Sequence, residues 1–173
     1  LNLKMSARCK FMFMYRATIV GLALLFPSVA AAQQPCTTDA RHVVNELYRH
    51  MLERQADAGG AHWVQQLENG RMTVREVVRA MAVSPEYTQR FWYAESGEGT
   101  PYERSVGRLY RHLLGRQPDA EGRNAFARLA QQSGMNAVID RILVSNEYRR
   151  EFGDWGLPGS GGLRYCRSNA ADN

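Results

Sequence analysis

Four histidines are the residues of this chain best suited to acid–base or metal chemistry: His42, His50, His62 and His112. His42 and His50 lie eight residues apart, about two helical turns, which aligns them on one face but supplies two ligands where zinc takes three or four. No metal site is expected, and each imidazole reads as structural or surface. Asp57-Ala58-Gly59-Gly60 and Asp119-Ala120-Glu121-Gly122 set an acid beside glycine, yet neither has the alternating acids of a calcium loop. Gly159-Ser160-Gly161-Gly162 has no lysine after it and no strand before it, so it does not read as a phosphate loop. Ser84 and Ser145 fall at helix starts, where backbone amides claim the hydroxyl, and neither has a histidine close by in sequence. No catalytic residue and no cofactor follow from these positions, and the chain is not expected to be an enzyme.

Charges that recur are the second class of candidate. Arg54 and Arg116 stand just after two similar helices, and Glu86 and Glu147 open two others. Each arginine is expected to tie its loop to an acid, either the aspartate three residues on (Asp57, Asp119) or the glutamate of the final helix. The recurrence is part of a duplication. Leu47–Gly60 (LYRHMLERQADAGG) returns 62 residues later as Leu109–Gly122 (LYRHLLGRQPDAEG), with 10 of 14 positions identical. Ser84-Pro85-Glu86-Tyr87 with Phe91 returns as Ser145-Asn146-Glu147-Tyr148 with Phe152, now offset by 61, so the second copy has lost one interior residue. A period of this length marks a repeated supersecondary unit. Its recurring positions are Tyr48 and Tyr110, Arg54 and Arg116, Asp57 and Asp119, Gly60 and Gly122, Glu86 and Glu147, and Tyr87 and Tyr148.

The elements that must position these residues read as helices. Val43, Val44, Leu47, Tyr48, Met51 and Leu52 form one apolar stripe, and Val106, Leu109, Tyr110, Leu113 and Leu114 form its twin. Gly115 suits a helix end, and Asp119 suits the start of the next, with Asp57 expected in the same capping role in copy one. Second helices carry Trp63, Val64 and Leu67, and Phe126, Leu129 and Ala130, until Asn69-Gly70 and Ser133-Gly134 break them. Thr73 with Glu76 is a capping box, followed by inward Val74, Val77, Val78 and Met81; the matching stripe is Val138, Ile139, Ile142 and Leu143. Ser84-Pro85-Glu86 is a strong helix start. No strand is expected anywhere.

Residues 1–32 place Arg8, Lys10 and Arg16 before an uncharged run from Ala17 to Phe26 and a small-residue string ending at Ala32. This layout predicts a signal peptide cleaved after Ala32, with residues 1–4 as a possible upstream extension. The apolar run is about half the roughly 20 residues of a spanning helix, so no membrane span is expected after cleavage. Residues 33–173 then hold 18 basic residues, all arginine, against 17 acids. That near neutrality removes the compositional case for a nucleic-acid partner. Domain organisation is expected as repeat one over 39–93, a linker over 94–100, repeat two over 101–153 and a tail over 154–173, all within one helical domain. Cys36 and Cys166, the pair left in an exported chain, are expected to form a disulfide.

Taken together, NGRMTVREVVRAMAVSPEYTQRF, LYRHLLGRQPDAEG and SNEYRREFGDWGLPG resemble the all-helical domain of phycobilisome linker polypeptides across nearly all of residues 33–173. LYRHMLERQADAGGAHW through SPEY also resembles a repeat of unassigned function in secreted bacterial proteins. The resemblance implies a non-enzymatic domain that organises the assembly of stacked light-harvesting proteins. Combined with the N-terminal segment, it yields an expectation with two alternatives. The expectation is an exported, periplasmic or secreted, all-α interaction or scaffolding module whose partner is a protein or a cell-envelope component. The first alternative is a genuine phycobilisome linker, and the second a small envelope hydrolase.

Overall fold

The computed structural model describes residues 35–93 and 97–167. The predicted signal peptide and its cleavage site therefore lie outside the described residues, as do the first part of the linker and the end of the tail.

Copy one contributes α1 (Ala40–Met51), α2 (Gly60–Glu68), α3 (Val74–Ala82) and α4 (Pro85–Phe91). The stripe Val43, Val44, Leu47, Tyr48 and Met51 is buried along α1, and Asp39 caps that helix by accepting from His42 N. Thr73 and Glu76 close a reciprocal capping box on α3. Ser84 caps α4 by accepting from Tyr87 N at 3.2 Å, with Pro85 in the first turn where its missing N–H costs nothing. Copy two repeats the order with α5 (Pro101–Leu114), α6 (Ala120–Leu143) and α7 (Asn146–Glu151). Thr100 and Glu103 form a second capping box, and Gly115 ends α5 at φ +70°.

The break expected at Ser133-Gly134 is present as a kink within α6, where Gly134 at φ +82° and ψ 166° leaves the helical region. Gly134 is the counterpart of Thr73 at the offset of 61, so copy two starts its third helical limb from a glycine kink without the loop seen in copy one. Asp57 does not cap α2. That helix begins later, at Gly60, with Gly59 as its cap residue, while Asp57 Oδ1 accepts from Gly59 N at 2.9 Å within the preceding turn. Asp119, by contrast, caps α6 by accepting from Gly122 N at 2.7 Å.

The buried residues of both copies form one cluster, with α5 packed along α6, α1 against α2, and α1 also against α5. Two contacts define how the copies meet. Arg79 on α3 donates to Asp140 on α6 at 2.6 and 3.1 Å, and the ring centroids of His50 and His112 lie 5.9 Å apart. Each pair consists of equivalent positions, offset by 61 and by 62. A position that touches its own counterpart marks an isologous, twofold-like contact.

The tail lies over the helices. Leu157 and Tyr165 are buried, Arg75 N donates to Asp154 O at 3.1 Å, and Cys36 and Cys166 are disulfide-bonded with Cα atoms 5.8 Å apart. Beside the disulfide is a feature the sequence did not show: β1 (Cys36–Thr37) pairs in parallel with β2 (Arg164–Tyr165). Two residues per strand are too short for an alternating pattern, and only the fold brings segments 130 residues apart side by side. Among the described residues, no helix is long and apolar enough to cross a membrane.

Candidate functional site

The recurring residues assemble into the same structure twice. Tyr48 projects from α1, and the Arg54 guanidinium lies over its ring at 4.9 Å; Arg116 lies over Tyr110 at 5.1 Å. From that stacked position Arg54 makes a two-pronged bond to the first turn of α4, Nε to Glu86 Oε1 at 2.5 Å and Nη2 to Oε2 at 2.7 Å. Arg116 grips Glu147 on α7 with the same two distances. Each arginine also donates to the carbonyl of the next residue, Gln55 at 2.8 Å and Gln117 at 2.9 Å. One planar cation thus joins the end of the first helix, the following loop and the start of the fourth helix, a geometry that lysine cannot reproduce.

Of the two acids expected for each arginine, both engage in copy one, where Arg54 also pairs with Asp57 at 3.1 Å. In copy two the grip is on Glu147, and Asp119 is held below its ordinary range first by the Gly122 amide. Glu86 and Glu147 are held low chiefly by hydrogen bonds from Arg54 and Arg116, whose own values rise for the same reason. The glycines complete the unit by proximity. A Cβ on Gly122 would come within 3.2 Å of the Tyr110 hydroxyl and of Asp119 Oδ1; one on Gly60 would press Ala56 and Val44 at 3.3 and 3.4 Å. Tyr87 and Tyr148 are fully buried behind the clamps, stacked near Phe91 and Phe152.

Two of the four histidines, His50 and His112, meet at the seam between copies, which the sequence did not foretell, whereas His62 packs against Trp63 and His42 lies exposed in the first turn of α1. His112 is 2% exposed. Its Nε2 faces Glu53 Oε1 at 3.4 Å and its Nδ1 lies 2.8 Å from the Tyr87 hydroxyl. A carboxylate only accepts, so Nε2 carries the proton and Nδ1 accepts from tyrosine. His50 Nε2 donates to the His112 carbonyl at 3.0 Å. Burial, then the nearby His50, pushes His112 down to about 4, and burial also lowers His50. Burial raises Tyr87 and Tyr148 as well.

The cleft over this pair, about 230 Å³, is lined by Arg49, His50, Glu53, Arg111, His112 and Gly159. It contains two imidazoles but no serine, threonine or cysteine among its lining residues. Both nitrogens of His112 are already engaged. Ser84 and Ser145 stay at their helix caps, accepting from Tyr87 N and Tyr148 N. A nucleophile, base and oxyanion set is not what this cleft brings together. Among the described residues, no group of three or more His, Cys, Asp or Glu could hold a metal ion.

The family model described as phycobilisome linker polypeptide matches residues 36–160, spanning both copies and part of the tail. The chain belongs to the phycobilisome linker polypeptide family. It is similar to the 32.1 kDa phycocyanin-associated rod linker polypeptides of Mastigocladus laminosus, 36% identical over 65% of this chain and 39% of that one, and of Nostoc sp., 32% identical over 76% and 46%. It is also similar to the phycobiliprotein ApcE of Nostoc sp., 33% identical over 67% of this chain and 10% of that protein. The chain spans less than half the length of these relatives.

Membership in the linker family overturns the expected periplasmic or secreted location. Phycobilisome linkers belong to thylakoid-associated complexes on the cytoplasmic side. The export expectation rested on basic residues before a short apolar run within residues 1–32, ahead of the matched residues 36–160. A cell-envelope partner likewise finds no support among the linker relatives, two of which are named for association with phycocyanin.

Proposed function

We propose that this chain is a phycobilisome linker module, a non-catalytic domain that binds phycobiliproteins and helps to set their assembly. What carries the reading is the family match over residues 36–160, because it covers the whole duplicated clamp and not one helix. The recurring side chains support it physically. They cap helices, stack on tyrosines and tie loops down, and this work produces a rigid surface and no reactive group. A linker role accounts for the family match better than an exported scaffold does, and the described residues bring together no nucleophile, base and oxyanion set that would favour a hydrolase.

The test is co-sedimentation of the purified full chain with isolated phycocyanin and allophycocyanin on a gradient read by absorbance. A linker module moves into the coloured fractions in fixed stoichiometry and shifts their sedimentation. If the chain stays at the top of the gradient with both pigment-proteins, at low and moderate salt, the proposal fails.

A further inference from the structure

The two copies differ in charge where their first helices face solvent. On α1, Asn45, Glu46 and Arg49 share one face, and Arg49 donates to Glu46. Their counterparts on α5, at the offset of 62, are Gly107, Arg108 and Arg111, so a second cation replaces the acid. α6 brings Arg123 alongside, where copy one has Ala61. The duplication that preserved the clamp did not preserve this face.

Arg108, Arg111 and Arg123 line one cleft of about 580 Å³, within the range of small-molecule sites. Gly107 contributes no side chain to that wall. The cleft also contains acids, but two are committed elsewhere: Glu103 accepts from Thr100 N at 2.7 Å in the capping box, and Glu53 faces His112. Glu98, exposed ahead of α5, is the third. Arg123 feels the charge of Glu103 without reaching ion-pair distance. Arg108, Arg111 and Arg123 form no ion pair with any described residue. Like charges gathered in one concave wall repel, and an anion placed among them relieves that repulsion while gaining bidentate bonds.

We propose that this cleft binds a small anion bearing two or more negative charges, a di- or tricarboxylate or a phosphoryl compound, held by Arg108, Arg111 and Arg123. The site belongs to copy two alone. Copy one, with Arg49 tied to Glu46 and alanine at position 61, lacks it.

Calorimetric titration of the full chain with citrate and with pyrophosphate at low ionic strength tests this. One-site binding of at least one probe is expected, with a Kd below about 1 mM. R108A/R111A and, separately, R123A should weaken it by about tenfold. R128A/R141A, which removes two exposed arginines of α6 outside the cleft, should leave it unchanged. Binding of citrate alone assigns a carboxylate ligand, pyrophosphate alone a phosphoryl ligand, and both a site selective for charge. R123A, at an exposed position, gives the same reading if the double variant melts early. Absence of heat with both probes at about 10 mM, or equal weakening by R128A/R141A, overturns the proposal.

Discussion

Lowering the pH from 7 to 5 should destabilise this protein through His112, before its clamp carboxylates titrate. In the folded chain burial holds His112 at about 4, against an ordinary 6.5. Between pH 7 and 5 an unfolded imidazole takes up about three quarters of a proton while the native one stays largely neutral. The unfolded state therefore binds more protons, and unfolding free energy falls as pH falls. A difference of this size removes about 2 kcal/mol by pH 5, and about 3 kcal/mol once the pH is below the folded value. Glu86 and Glu147, held below 4.5, stay ionised in both states over most of this window and contribute little slope there. The assay is urea unfolding from pH 7.5 to 5 for the parent and for His112→Gln, whose amide can still accept from Tyr87. The variant should lose most of the slope and keep a remainder from His50, which burial also lowers. Parallel pH curves for the two proteins would refute the buried, neutral His112.

Three further outcomes follow from the geometry. Glu53 holds φ +50° where its counterpart Gly115 holds +70°, so Glu53→Gly should exceed Glu53→Ala in unfolding free energy by roughly 0.5–1 kcal/mol, both variants lacking the carboxylate that faces His112, and equal stability of the two would contradict the strain. Reducing the Cys36–Cys166 disulfide, which spans 130 residues, should cost about 5 kcal/mol on the loop-entropy model; coincident urea curves with and without reductant would exclude that contribution. A double-mutant cycle of Arg116→Ala and Glu147→Ala should show coupling of up to about 1 kcal/mol, because both side chains are roughly a third or more exposed, and strictly additive losses would mean the clamp is not energetic.

Local chemistry was legible in the sequence wherever it depends on near neighbours. Thr73 with Glu76, and Ser84-Pro85-Glu86, announced helix starts because a cap acts across three residues. The apolar stripe of Val43, Leu47 and Met51 announced a helix because burial follows its 3.6-residue period. Arg54 and Arg116 stand out as recurring charges, but no local pattern chooses between their two acids, because Glu86 lies 32 residues from Arg54. Asp57 misled. Its twin Asp119 caps a helix, but in copy one the helix starts only at Gly60, and Asp57 is left in the turn before it.

By itself, the sequence determined that the chain is a duplicated helical unit and which residues recur within it, since identity at a fixed offset needs no coordinates. Only the tertiary structure decided that the copies meet through their own counterparts, His50 on His112 and Arg79 on Asp140. It also decided that Tyr87 reaches His112 and that two short strands close beside the disulfide. The physical reason is range: caps and stripes are set by bonds a few residues long, whereas a seam between copies depends on how whole helices pack, and no local pattern records it.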